Sequence, residues 1–435
     1  MRGVLSLQPT EEVRPDDRQF GYLPCHKSGF GRSSAILCSG GALRDGSALS
    51  KTPNSSILAS EPGLIRRIPA LGGFDMPFKL ISFDHALKIA EQYGKKHLLL
   101  GNGFSIACKP DIFAYGSLFE EARKTMSNEL AAIFSAMETQ DFEDVIRALQ
   151  HAAAIVSAYN PKLKRTMARM TGDAEKLKTD LVQALAGRHP ARPSDIADER
   201  YFACRIFLSN FVGEGAGGKI YTMNYDLLLY WALMHEEEDR GELIALSHDD
   251  GFRKDQEDYD APYVEWQGEG AAHGQNIHYL HGALHLFDAG YQLQKYTWVN
   301  TGIALVDQAN EALRNNLFPL FVAEGDSRSK LTKIQHSAYL HHNFKSFAGV
   351  CQTGTRQGTA LFVFGHSFAS NDSHVLNMIG YGKVAHLFVS LFGDPSGRTN
   401  RLIRTNVDRI AALRPPGFPA LKVDFFDATS ANVWG

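Results

Sequence analysis

The run IHYLHGALHLF, residues 277–287, carries three histidines in an otherwise apolar and aromatic stretch. His278, His281 and His285 are three and four positions apart, the spacing at which one helix face presents metal ligands. Gly282 interrupts the run, however, and Ile277, Tyr279 and Leu280 favour extended chain, so strand, turn, strand fits better than a zinc-binding helix. No metal ligand is therefore assigned. A histidine that ends a strand and is followed by glycine is well placed as a general base, and His281 holds that position. His278 and His285 read as hydrogen-bonded core histidines.

Three other segments have a similar form. In HLLLGNGFSIACKPDIF, Gly101, Asn102, Gly103, Phe104 and Ser105 follow a short apolar run. Glycines there let the backbone turn sharply and approach a ligand, and successive N–H groups can point at a phosphate. The alternative is an ordinary strand-to-helix turn. In YTMNYDLLLYW, Thr222, Asn224 and Asp226 stand where a strand gives way to a helix. Such positions bind ligands in parallel sheets, although Asn224 or Asp226 would serve equally as a helix cap. In TALFVFGHSFASNDSH, Gly365, His366 and Ser367 follow a third apolar run, and Asn371, Asp372 and Ser373 are suited to cap the next helix.

The elements that position these residues are legible from periodicity. Strand-like runs occur at 97–101, 219–225, 277–282, 318–324, 360–365, 386–392 and 421–428. Stretches with a period near 3.6 occur at 226–237, 330–347 and 399–413. Continuous apolar strands separated by helices predict an α/β fold: a mostly parallel, Rossmann-like sheet covered by helices on both faces. The interval 116–213 reads as nearly all helix, a large helical insertion between the first two strands.

The chain has 435 residues, 44% hydrophobic and 21% charged, with a net charge of -3. That composition suits a globular protein and gives no reason to expect nucleic acid or an anionic membrane as partner. Cys25, Cys38, Cys108, Cys204 and Cys351 are scattered and contain no C-x-x-C pair, which argues against a disulfide framework and a cysteine zinc ribbon. A reducing cytoplasm is the expected compartment; homo-oligomerisation is left open. Residues 1–75 differ in kind, with 10 Gly, 10 Ser and 6 Pro and no apolar period. They are expected to be a disordered tail or translated leader ahead of the true start. Organised sequence begins near Met76, and Ser82 is positioned to cap the first helix.

The order of the four segments carries a resemblance. G-x-G-x-S, T-x-N-x-D, L-H-G and G-x-S, each after an apolar run, resemble the sirtuin-like NAD-binding proteins. Their counterparts here are Gly101 to Ser105 with Pro110 and Asp111 close behind, Thr222 to Asp226, Leu280 to Gly282, and Gly365 to Ser367. LLLGNGFS, DFEDVIRAL, TMNYDLLLYW, YLHGALHLF, KLTKIQHSAYL and FVFGHSF more specifically resemble the bacterial domain-of-unknown-function family 4917 (DUF4917), regarded as sirtuin-like. This closer resemblance runs from about Met76 to the C-terminus.

The resemblance implies a domain over 76–435 that binds NAD. Gly101, Gly103 and Ser105 would cradle the diphosphate, within a cofactor site that also includes Asn102 and Thr222. Asn224 would hold the nicotinamide ribose, Asp226 the carboxamide, and His281 would act as base on the ribose hydroxyls. Gly365 and Ser367 would meet the adenosine phosphate or ribose. Sirtuin deacetylases carry a four-cysteine zinc ribbon that this chain lacks, so water becomes the expected acceptor and NAD hydrolysis the expected chemistry. Such domains occur in bacterial anti-phage defence. Two other readings stand beside it: a non-catalytic NAD or ADP-ribose sensor, and a metallophosphoesterase built from GNG, Gly325-Asp326 and GHSF…NDSH, which would require metal ligands on several strand ends.

Overall fold

The computed structural model describes residues 79–235, 244–254, 260–268, 274–290, 292–297, 303–315 and 317–435. The expectations for residues 1–75 lie outside these. The strands are β1 (Lys95–Leu100), β2 (Ile220–Thr222), β3 (Phe252–Arg253), β4 (Tyr263–Trp266), β5 (Ile277–Tyr279), β6 (Gly282–Asp288), β7 (Leu293–Tyr296), β8 (Pro319–Phe321), β9 (Thr359–Phe364), β10 (His386–Leu391) and β11 (Lys422–Asp427).

Six strands form a sheet in the order β11-β10-β9-β1-β2-β5, with every pair parallel. The apolar runs explain this. All six residues of β9 and of β10 are buried, as befits strands covered on both faces. β1 is the turning point: the chain moves outward through β2 and β5, then returns to the other side of β1 as β9. Leu100 is level with both Thr222 and Phe364, so the carboxyl ends of β1, β2 and β9 share one edge.

Between β1 and β2 the chain is helical over Tyr115–Arg123, Asn128–Ala136, Phe142–Tyr159, Lys164–Arg188 and Asp198–Val212. Helix Phe142–Tyr159 shows why. Asp141 caps it by accepting from the Glu143 N–H, and Phe142, Val145, Ile146 and Leu149 form one buried stripe. Ser82 caps the first helix, Phe83–Ala90, through the His85 N–H, as the sequence predicts.

Three features depart from the sequence reading. A second sheet, antiparallel throughout and ordered β3-β4-β7-β6-β8, takes in the 318–324 run as β8. Its strands β3 and β4 are too short and too partly exposed to register as apolar runs. The 330–347 stretch is two helices, Ser327–His336 and Ala338–Gln352, because Ser337 breaks the first and caps the second through the Leu340 N–H. Asp372 makes no side-chain cap bond to helix Ser373–Tyr381; its carboxylate is directed elsewhere. No described helix is long and apolar enough to cross a membrane.

Candidate functional site

A cleft of about 840 Å³ opens across the carboxyl ends of the parallel strands. Gly101, Asn102, Gly103, Asn224, Asp226, His281, Gly365 and Ser367 line it, so all four segments meet in one place. Ser105 and Thr222 do not line it. Ser105 is fully buried, with its hydroxyl donating to Asp226 Oδ2 at 2.5 Å and accepting from Asn224 Nδ2 at 2.9 Å. Thr222 Oγ1 accepts from the Asn224 N–H at 3.1 Å. Ser105 therefore positions the side chains of Asn224 and Asp226 from behind, and Thr222 the Asn224 backbone. These strand-end hydroxyls bond inside the protein, where Asn224 and Asp226 are buried polar groups that need partners.

The glycine loop is also used differently. A Cβ on Gly101 would lie 2.7 Å from the Gly365 carbonyl oxygen, and one on Gly103 would lie 2.5 Å from Gly365 Cα. Gly365 itself has φ +71°, a left-handed conformation that glycine adopts without strain. These glycines let the turns after β1 and β9 interlock. The N–H groups of Gly103, Phe104 and Ser105 donate to Gly365, Gly101 and Asn102 carbonyls, at 2.8, 3.0 and 3.0 Å. These three N–H groups are thus bonded within the chain, because a helix starts directly at Gly103.

The histidine run resolves as β5, a turn at Leu280 and His281, then β6. His278 is a hydrogen-bonded core residue, with Nδ1 3.0 Å from Asn343 Oδ1 and Nε2 3.1 Å from Ser346 Oγ. His285 is buried too, but neither ring nitrogen has a hydrogen-bond partner among the described residues; it packs between Tyr230 and Tyr279. That corrects the expectation of a hydrogen-bonded histidine there. His281, at the turn, sets Nε2 3.1 Å from His374 Nε2, and burial drives its pKa well below the usual value.

The family described as Domain of unknown function (DUF4917) matches residues 98–434. The chain belongs to the DUF4917 family. No curated protein and no solved structure matches it.

The DUF4917 cleft has a charged end that the sequence reading does not single out. Lys330 is 1% exposed and places its ammonium 2.6 Å from Glu143 Oε2 and 2.8 Å from Asp372 Oδ1. Asp372 Oδ2 lies 3.2 Å from His366 Nε2. Burial opposes a charge on Lys330, yet the two carboxylates override it and raise its pKa. Burial likewise opposes ionisation of Asp372, but Lys330 and the His366 hydrogen bond hold its carboxyl well below the usual range. Burial pushes Glu143 up to about 7. Asp226 is also raised by burial, opposed by hydrogen bonds from Ser105 and the Leu228 N–H. Glu143, Lys330 and Asp372 come from the insertion, from helix Ser327–His336 and from the turn before helix Ser373–Tyr381. The segments DFEDVIRAL, KLTKIQ and NDSH carry them, but nothing in their spacing indicates that they meet.

His281, Asp372 and His374 each bring a ligand atom within 4.8 Å of the others, a group able to hold a metal ion. The Lys330 ammonium already lies against Asp372, so a cation there would face a like charge. Asp326, of the Gly325-Asp326 pair, caps helix Ser327–His336 by accepting from the Arg328 and Ser329 N–H groups.

Proposed function

We propose that this chain is a sirtuin-like, Rossmann-like NAD-binding domain that hydrolyses NAD to nicotinamide and ADP-ribose. The observation that supports it is the meeting of Asn224, Asp226, His281 and Ser367 around one cleft at the strand ends. The strand order supports it too. Outward from β1 in both directions, the sheet runs in the doubly wound dinucleotide order, with the cleft where that order reverses.

The lining of the cleft suits the substrate. Asp141, Glu143, Asp226 and Asp372 line it, with Lys330 the only Lys or Arg among the described lining residues, and Ser390, Thr399 and Thr429 line it without charge. Breaking the nicotinamide–ribose bond builds positive charge on the ribose, and a site rich in carboxylates stabilises that charge. The adenosine end would lie toward Ser367 and the uncharged side chains. Asn224, steered by Ser105 and Thr222, would orient the nicotinamide ribose. Water is the acceptor in this reading.

Purified protein incubated with NAD is expected to release nicotinamide and ADP-ribose in equal amounts. NAD that binds but stays intact would overturn the hydrolase reading and favour the sensing one.

A further inference from the structure

The charged end of the cleft contains a carboxyl whose surroundings suit proton transfer. Glu143 is the second residue of helix Phe142–Tyr159, so the helical insertion, and not the sheet, delivers it to the cleft. Its Oε2 accepts from Lys330 Nζ at 2.6 Å and from Asn371 Nδ2 at 2.5 Å. Its Oε1 lies 3.3 Å from the Tyr225 hydroxyl. That hydroxyl also lies 2.6 Å from the Val322 carbonyl oxygen. A phenol has one proton, and a carbonyl can only accept, so the shorter contact takes it. The Tyr225 hydroxyl therefore gives Glu143 Oε1 little, and the ionised carboxylate is met chiefly by Lys330 and Asn371.

The charge balance points the same way. One ammonium, Lys330, serves both Glu143 and Asp372. Asp141, the cap of the same helix, adds a third carboxyl close by. Around Asp372 stand His366, at hydrogen-bond distance, and His281 and His374, which burial keeps neutral. A single buried ammonium between two carboxylates favours one proton held on the pair. Asp372 has both Lys330 and His366 to keep it ionised, so the proton goes to Glu143, which burial sets near 7.

We propose that Glu143 is the general base of this cleft that takes a proton from the attacking water. This rests on the NAD-hydrolase reading. In the step, the water oxygen bonds to the ribose C1′ and the C1′–nitrogen bond breaks with its electron pair going to the nicotinamide ring. The water proton passes to the Glu143 carboxylate and then to solvent. His281, bonded through Nε2 to His374, is left to the ribose hydroxyls.

Two measurements on the full chain test this. The first is nicotinamide release with NAD binding measured in parallel. Glu143→Gln keeps the size and the Asn371 contact; kcat should fall roughly 10²- to 10⁴-fold, with NAD affinity within about threefold of wild type. The wild-type rate should rise with pH through a midpoint near 7, and that limb should vanish in the variant. If Glu143→Gln does not fold, Glu143→Asp keeps the charge beside Lys330 but retracts the carboxyl, and kcat should still fall at least about tenfold. Wild-type kcat in the folded variant overturns the proposal. The second is the titration of the Glu143 carboxyl itself, followed by the infrared carbonyl band or carbon-13 label. A midpoint below about 5 overturns the role of Glu143 whatever the substrate. A midpoint near 7 without nicotinamide release from wild type overturns the NAD reading, and the water-activating step with it.

Discussion

Asn224 has no charge to lend, yet its position makes it informative. Its side chain donates to Ser105 Oγ and its backbone N–H to Thr222 Oγ1, so one hydroxyl holds the amide and the other the backbone beneath it. Asn224→Ala should abolish nicotinamide release while removing one side-chain hydrogen bond, worth about 0.5–1.5 kcal/mol. A small shift in melting temperature with complete loss of turnover is the expected result; a large melting shift would show that the residue mainly holds the fold. His285 gives the opposite case. Its buried ring nitrogens lack partners among the described residues, and an unpaired buried polar group costs about 1–3 kcal/mol. His285→Leu should therefore melt at the same temperature as wild type or higher, with NAD turnover intact. Calorimetry of the two variants side by side checks both.

At the scale of elements, Lys330 joins three segments. Glu143 belongs to the insertion, Asp372 to the turn before helix Ser373–Tyr381, and Lys330 to helix Ser327–His336. The ion pair to Glu143 spans 187 positions of sequence. Lys330→Met leaves two buried carboxylates facing each other. The expected loss is about 3–5 kcal/mol, read from urea unfolding, since one partner of a buried pair is left uncompensated. Adding Glu143→Gln to Lys330→Met removes one of those charges and should return part of the loss. Equal stability of the single and double variants would mean that the insertion is held by its apolar stripe alone. The glycine turns act at this scale too: Gly103 and Gly365 interlock, which ties β1 to β9 beside the cleft.

The molecule as a whole is rich in buried neutral histidine. Burial lowers His97 and His278 to about 3, and His189 and His374 to about 4. An unfolded chain binds protons at these histidines near pH 6.5, while the folded chain refuses them until far lower pH. Stability from these groups is thus complete above about 6.5 and lost as pH falls toward 4. Glu143 has the opposite sign: its raised pKa makes its contribution fall as pH rises from its unfolded value toward 7. Asp141 and Asp226 share that sign, but burial also lowers His281 and His285, so the histidines should dominate. The melting temperature at pH 5 should lie well below that at pH 7; a flat profile across that range would contradict the burial of these rings.

Local pattern by itself determined the strand ends where Asn224, Asp226, His281 and Ser367 stand. A continuous apolar run must be buried on both faces, and a run so buried belongs in a parallel sheet between helices, whose carboxyl ends line up. The same logic separated β5 from β6 at Gly282, because an extended chain that meets glycine after His281 turns there. Tertiary structure alone decided how the polar atoms are used. Ser105 and Thr222 turn inward since buried Asn224 and Asp226 need partners, and the Gly103 N–H is taken by Gly365 in the turn after β9. It alone also assembled Glu143, Lys330 and Asp372. These lie on separate helices and turns with no shared period, and only the fold brings one buried ammonium between two distant carboxylates.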